Sequence, residues 1–329
     1  MHRFAAERGL PLFVLGGGSN IVVADDGIDG CVMHVCIRGV GFTSDAGDTL
    51  VTAGAGEPWD CVVRAIAGRG LSGTECLSGI PGSVGGTPIQ NVGAYGQEVG
   101  DTIDSVTVYD SVASAELRLT SAECEFAYRS SRFKGRDAGR FVVCDVTYRV
   151  RPGAPSPTYP DVVEYLRRAG VSSPAVTDVR GAVLAVRRRK GMVIDPADPD
   201  TKSVGSFFMN PVVSGAHHDR IASIAGGRPP GFPMSGGRVK VPAAWLIERA
   251  GFRKGDVDGA VGISTKHPLA LVNRGGATAR DVLRLAGRIK QGVVARFDIW
   301  LRPEPVFVGF GSDADLDFLQ RAADVDTVD

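Results

Sequence analysis

The chain has 329 residues, of which 43% are hydrophobic and 22% charged. That composition can offset the ordering entropy of two or three domains, which excludes wholesale disorder. Lys plus Arg and Asp plus Glu each number 37, so zero net charge gives no support to a dominant nucleic-acid or membrane-surface role. No apolar run approaches the roughly 18 residues that span a bilayer. The start, MHRFAAERGL, is too polar for a secretory signal. The six cysteines include no C-x-x-C pair, and five sit in apolar or strand-like sequence. Free thiols in a reducing cytoplasm are expected. The histidines show no metal-ligand spacing, so no metal is expected, and His217-His218-Asp219 reads as a solvated turn.

In chain order, residues 1–9 read as the end of a helix stopped by Gly9. The apolar runs Leu12–Leu15 and Ile21–Val23 read as strands around Gly16-Gly17-Gly18-Ser19-Asn20. Strands are also expected at 31–37 and 49–53. Residues 58–68 read as a helix, with Pro58 in its first turn and Val62, Val63 and Ile66 on one side. Residues 70–96, GLSGTECLSGIPGSVGGTPIQNVGAYG, follow no helical or alternating period. Ordered loops of that length are usually functional. Residues 103–109 and 141–150 alternate as strands, with a short helix capped by Thr120 or Ser121 between them. Pro152, Pro155, Pro157 and Pro160 form the strongest linker signal, and Pro196 and Pro199 mark a second break. Residues 178–190 and 243–250 read as helices. The clearest helix is 278–295: Thr278 caps it, Asp281 follows, and Val282, Leu285, Ile289 and Val293 share a face. Residues 297–301 and 306–310 read as strands, and the acidic tail after Gly311 as frayed. Strands and helices mix without a regular rhythm, so the fold class is α+β rather than a doubly wound sheet.

Several segments have the residue types that chemistry needs. The loop Gly16 to Asn20 lets backbone N–H groups point into one concavity, a nest for phosphate oxygens; a tight turn is the alternative. No Lys-Ser/Thr and no helix follow, so neither a Walker loop nor a dinucleotide fingerprint fits. Gly79-Ile80-Pro81-Gly82-Ser83-Val84-Gly85-Gly86 is a second small-residue loop. A pair of such loops suggests a ligand with more than one phosphate lying on backbone. Residues 90–96 set polar amides beside glycines that admit a flat ring. Tyr128-Arg129 offers a guanidinium suited to a carboxylate, against the default of a surface arginine. Ser206, between Gly205 and two phenylalanines, has no nucleophile elbow and no His partner, so a hydrolase triad does not fit; a general acid is the minor alternative to a plain structural hydroxyl. Glu304 is fixed between Pro303 and Pro305; a surface glutamate at a strand end is the plain alternative.

The stretches VLGGGSNIVV, SGIPGSVGGTPIQNVGAYG, FAYRSSRFKG, GSFFMNPVV, KVPAAWLIERAGF and the pair STKHPLALVN with LRPEPVFVG run in order from residue 14 to 309. Together they resemble the UDP-N-acetylenolpyruvoylglucosamine reductases, flavoenzymes of peptidoglycan precursor synthesis. The resemblance implies a two-part FAD-binding domain of the vanillyl-alcohol-oxidase type and a separate α+β substrate-binding domain. On that basis residues 1–45 and 46–195 form the two flavin subdomains, the second with a lid over UDP. Residues 200–300 then form the substrate domain, and 301–329 a returning strand and acidic tail. The implied enzyme is a UDP-N-acetylmuramate dehydrogenase with non-covalent FAD. It takes hydride from NADPH, reduces UDP-N-acetylenolpyruvoylglucosamine, and acts as a cytoplasmic monomer with no nucleic-acid or membrane partner.

Residue by residue, the resemblance gives Gly16, Gly17, Gly18, Ser19 and Asn20 to the flavin, with Gly79, Ile80, Pro81, Gly82, Ser83, Gly85, Gly86, Gly93 and Ala94. Ser206 matches the family's proton-donating serine. Arg129 and Glu304 match the pair that stabilises the enolic intermediate at the substrate carboxylate. Tyr128, Tyr159, Lys190 and Asn210 are expected to contact substrate: Tyr159 as the type I lid, Asn210 at the diphosphate, and Lys190 as a looser match to a phosphate-contacting lysine. The family carries a strand and most of a helix before the GGGSN loop, where 15 residues stand here, so Leu12–Leu15 is expected to lack one strand neighbour that its homologues have. Two other readings stay open. One is another FAD-dependent oxidoreductase of the same fold, although the first loop lacks the His of a covalent link. The other is a non-catalytic UDP-sugar-binding protein.

Overall fold

The computed structural model describes residues 1–153 and 155–322. The fold is α+β, in two compact units. One comprises Met1–Ser19 and Asp29–Val193; the other takes Asn20–Ile28 with the chain from Ile194 onward. The division falls beside the break at Pro196, not at the prolines of 152–160. Pro160 opens the helix Pro160–Arg168, where a missing N–H costs nothing.

A six-stranded antiparallel sheet organises the first unit. Its order is Ala115–Thr120, Ile103–Asp110, Phe141–Pro152, Asp48–Gly54, Val40–Asp45, with Leu71–Ser72 pairing the end of Phe141–Pro152. Alternation buries Val106 and Val108 with Val51, Ala53, Val146 and Tyr148. The helix Trp59–Ala67 adds Trp59, Val62, Val63 and Ile66 to that core. Trp59 packs 5.3 Å from the buried Tyr148 ring, whose hydroxyl lies 2.8 Å from that of Thr87. Pro160–Arg168 and Val176–Arg189 form a smaller core through Val162, Leu166, Val179 and Val183 against Cys76. Leu12–Leu15 pairs in parallel with Cys31–His34 in a two-stranded sheet.

The second unit is built on the helix Ala279–Phe297. Thr278 and Asp281 cap it reciprocally, and the Asp25 carboxylate accepts the Ala279 N–H at 3.0 Å. Its Leu283, Ala286, Ile289, Val293 and Phe297 meet Phe207, Phe208, Leu246 and Ile263. Two small antiparallel sheets and the parallel pair of Val306–Val308 with Ile21–Val23 complete the unit. No helix among the described residues is long and apolar enough to cross a membrane.

Residues 297–301 form no strand: Phe297 ends the long helix and Asp298 turns left-handed, at φ 56°. His217 and His218 lie in the helix Gly215–Ala225, capped by Ser214, rather than in a solvated turn. His218 is buried there, and the His217 Nε2 lies 2.9 Å from the Phe297 carbonyl. Part of the tail is ordered as the helix Ala314–Gln320, with Leu316 and Leu319 in the core. The buried Lys290 ammonium donates to the Leu319 and Arg321 carbonyls at 2.7 and 2.6 Å and ties that helix down. The tail beyond residue 322 lies outside the described residues. All six cysteines are free, with Cys36 and Cys61 exposed. Burial pushes the Cys76 and Cys124 thiols up to about 12.

Asp110 ends its strand fully buried, and Arg140 grips it through Nε and an Nη at 3.0 and 2.6 Å. Arg140, with the Val112 and Ala113 N–H groups, holds that carboxyl down at about 2, against an ordinary 3.8. A carboxyl depressed on folding contributes stability above its ordinary pKa, and the contribution is lost as pH falls toward the folded value. The Tm gap between wild type and Asp110→Asn is thus expected to be widest above about pH 4 and to shrink toward pH 2. A gap independent of pH in calorimetry contradicts this pairing. In the second unit, Ile289→Ala is expected to cost about 2–5 kcal/mol in urea unfolding, because a fully buried side chain leaves a cavity.

Candidate active site

The two glycine loops interlock. A Cβ on Gly17 would sit 2.7 Å from the Gly82 Cα and 2.9 Å from the Ser83 nitrogen; one on Gly16 would meet the Ser83 hydroxyl at 2.8 Å. The Gly17 N–H donates to Ser83 Oγ at 3.1 Å, and the Ser19 hydroxyl donates to the Pro81 carbonyl at 3.2 Å. Gly82 needs its glycine on two counts: φ is 113°, and a Cβ would strike Ser19 Oγ. Gly85 packs against Ala55, whereas Gly86 faces open space. The Gly79 N–H donates to Asp60 at 2.6 Å, and Arg180 clamps the same carboxylate at 2.6 and 2.8 Å. Burial raises the Asp60 pKa, but Arg180 and the Gly79 N–H outweigh it, so the net shift is downward. The two loops thus pack backbone against backbone, with Gly17, Gly18 and Gly86 exposed, and small-residue backbone of this kind suits the phosphates of a dinucleotide such as FAD. Asn20 belongs to the second unit. Its side-chain amide donates to the Glu304 carbonyl at 3.2 Å, and its own carbonyl accepts from Val306.

Gly93 and Ala94 form a short ladder with Gln97–Glu98. Beside it, Tyr128 and Arg129 form the tip of a tight turn closed by reciprocal 3.0 Å bonds between Ala127 and Ser130. Arg129 has φ 53°, a strained conformation for an arginine that the surrounding contacts must impose. Its guanidinium donates to the Gly93 carbonyl at 2.6 Å and lies 5.4 Å from the Tyr128 ring.

In the second unit the Ser206 segment lies as an extended ledge between two others. Ser206 bridges Ala270, and the Phe207 N–H donates to Leu269. On the other side Phe208 bridges Pro303, and the Glu304 N–H donates to the Phe207 carbonyl at 2.8 Å. Phe207 and Phe208 are fully buried, so they anchor the ledge and leave Ser206 and Glu304 half-buried along it. The structure thus brings Ser206, Glu304 and Asn20 together. Asn210 follows the same ledge, and its Oδ1 accepts the Ala243 N–H at 2.9 Å, capping the helix Ala243–Arg249.

Tyr159 and Lys190 also meet. The Tyr159 ring lies edge-on to Tyr95, with centroids 5.0 Å apart. The Lys190 ammonium lies 5.8 and 5.7 Å from the two ring centroids and 2.6 Å from the Asp161 carboxylate. Burial pulls the Lys190 pKa down, but Asp161 and the two phenols raise it more, for a net upward shift. Sequence reasoning singled out residues 90–96 without a separate role for Asn91 or Tyr95, and it missed the Asp60–Arg180 clamp. The first two lie in the QNVGAYG segment, where a polar and an aromatic residue interrupt a glycine run; the clamp joins residues 120 positions apart and leaves no local signal.

Comparisons with known proteins bear on this arrangement. A family model described as an FAD binding domain matches residues 1–117. Another, described as the UDP-N-acetylenolpyruvoylglucosamine reductase C-terminal domain, matches residues 196–308. The reductase of that name from Thermobifida fusca is 52% identical over 314 residues, 92% of this chain and 87% of its own. The one from Salinispora arenicola is 48% identical over 93% of this chain and 86% of its own. A crystal structure of the reductase from Thermus caldophilus superposes with a TM-score of 0.58 at 25% identity, covering 94% of this chain and 90% of that one. With half its residues shared over nearly the whole length, and with the interlocked loops and the serine ledge in place, this chain belongs to the UDP-N-acetylenolpyruvoylglucosamine reductase family.

Proposed function

We propose that the protein reduces UDP-N-acetylenolpyruvoylglucosamine to UDP-N-acetylmuramate with NADPH and FAD, as a cytoplasmic monomer supplying peptidoglycan precursor. The observation that carries this reading is the ledge on which Ser206 and Glu304 are neighbours, joined by the 2.8 Å bond from the Glu304 N–H to the Phe207 carbonyl. FAD held by the interlocked loops and reduced by NADPH would supply, from N5, the hydride that the terminal methylene carbon of the enolpyruvyl ether receives. The neighbouring carbon then holds an electron pair shared with its carboxylate, and the Ser206 hydroxyl delivers the proton it needs. Ser206 suits that task because the buried Phe207 and Phe208 that follow it fix the backbone beside it. Arg129 pairs with the substrate carboxylate, and with Glu304 it stabilises the enolic form, an electrostatic role of the oxyanion-hole kind. The interlocked loops hold the FAD pyrophosphate. Tyr128, Tyr159, Lys190 and Asn210 bind the rest of the sugar nucleotide, with Tyr159 closing over the UDP moiety.

Ser206→Ala is expected to leave flavin reduction by NADPH nearly unchanged and to slow re-oxidation by the enolpyruvyl sugar nucleotide about 10²–10⁴-fold. Stopped-flow absorbance separates the two half-reactions, and a normal re-oxidation rate removes Ser206 as the proton donor. Gly17→Ala is expected to weaken FAD retention about tenfold or more, since the new methyl group has no room against Gly82. Flavin absorbance after gel filtration checks it; full retention would mean that the loops are not the cradle.

A further inference from the structure

We infer that Asn91 is the positioning residue for Arg129, and that its side-chain amide sets the geometry of the carboxylate-binding guanidinium. The inference rests on the role proposed above for Arg129. Asn91 is 2% exposed, has φ 47° and uses its whole amide group. Its Oδ1 accepts the Gly100 N–H at 2.9 Å. Its Nδ2 donates to Glu98 Oε2 at 2.7 Å and to the Ala127 carbonyl at 3.1 Å. Ala127 is the base of the tight turn whose tip carries Arg129. The Arg129 guanidinium then reaches back to the Asn91 carbonyl at 3.4 Å and the Gly93 carbonyl at 2.6 Å. Asn91 therefore holds both ends of one closed circuit: its side chain fixes the turn, and its backbone helps receive the guanidinium that the turn presents.

The chemistry selects asparagine. Two donors and an acceptor are needed on a short arm, which an amide supplies and a carboxylate does not. Aspartate at this position would face the Glu98 carboxylate and leave the Ala127 carbonyl with the Ser130 N–H but without its side-chain donor. The left-handed backbone also suits asparagine better than longer side chains. Gly93 fits the same account, since a Cβ there would lie 2.8 Å from Glu98 Cγ and 3.0 Å from an Arg129 Nη. Arg129 adopts its positive φ inside this circuit, so the strain is held by Asn91 on one side and by the Ser131 hydroxyl, donating to Ile89 at 2.6 Å, on the other.

The test compares Asn91→Asp, Arg129→Lys and the double variant as FAD-loaded enzymes. Asn91→Gly, which tolerates φ 47°, stands in for Asn91→Asp if the latter does not fold. Misplacing a binding group by about 1 Å costs on the order of 10²-fold. Asn91→Asp is therefore expected to lower kcat for the sugar nucleotide by that order, with flavin retention and NADPH-driven flavin reduction close to wild type. The double variant is expected to be no slower than Arg129→Lys, because the two changes remove one function. Losses that multiply, or flavin retention and both half-reactions falling together, overturn the inference in favour of a merely structural asparagine. A slow Arg129→Lys with a normal Asn91→Asp also overturns it and spares the reading of Arg129. A normal Arg129→Lys overturns both.

Discussion

Gly17 approaches Gly82 so closely that a methyl group on Gly17 has nowhere to go, and the second loop is tied into the first unit around that contact. The Gly82 carbonyl accepts the Trp59 N–H at 3.0 Å, the Val84 N–H donates to Glu57 at 2.9 Å, and the Gly85 N–H donates to Ala55 at 2.8 Å. These bonds stitch the second loop to the corner between the strand Asp48–Gly54 and the helix Trp59–Ala67. Trp59 and Tyr148 bury that corner, while Asp60 on the same helix reaches back to hold Gly79. The glycines of 79–86 therefore serve steric closeness more than flexibility: where backbone must touch backbone, only hydrogen fits. Loops held by such contacts need little further ordering, and preordered backbone limits the entropy lost when any ligand binds to it.

The second unit solves a different problem, that of presenting a hydroxyl and a carboxylate at defined places. Two fully buried rings, Phe207 and Phe208, lie 5.2 Å apart, and burying each is worth about 1.5–3 kcal/mol. That energy fixes the strand between Leu269 and Pro303, so Ser206 and Glu304 keep their places at little local cost. Gly205, at φ 79°, lets the chain turn into the ledge, and Asn20 fastens the far end by bonding the Glu304 carbonyl. In the first unit, Asp60, Asp110 and Asp161 each have a basic partner, so the structural carboxylates are neutralised in place.

Much of this was legible in the sequence because local rules and tertiary packing agreed. The helix Ala279–Phe297 shows its cap, its apolar stripe and its N-terminal acid, and it forms as read. The strands Leu12–Leu15 and Ile21–Val23 also appear where their apolar runs place them. The misreadings have local physical causes. Residues 297–301 look apolar enough for a strand, but Asp298 adopts the left-handed turn that ends the helix. Val40–Asp45, with Gly, Thr, Ser and Asp, lacks a strand signature and forms only because Asp48–Gly54 offers it a ladder. His217-His218-Asp219 was read as a solvated turn on its polar residues, yet Ser214 caps a helix there and His218 packs inward. Within the site, the glycine loops were readable from composition alone. The contribution of Asn91 was not, since it depends on Ala127 and Arg129, 36 and 38 residues away.

Family membership, the interlocked cradle and the serine ledge converge on one chemical cycle, and a double-mixing absorbance experiment on the wild-type protein tests it most directly. The purified protein is expected to carry FAD absorbance that NADPH bleaches. UDP-N-acetylenolpyruvoylglucosamine, added without oxygen, should restore that absorbance and yield UDP-N-acetylmuramate in equal amount. A protein that binds the sugar nucleotide without holding FAD, or whose bleached flavin stays bleached when that nucleotide is added, contradicts the account.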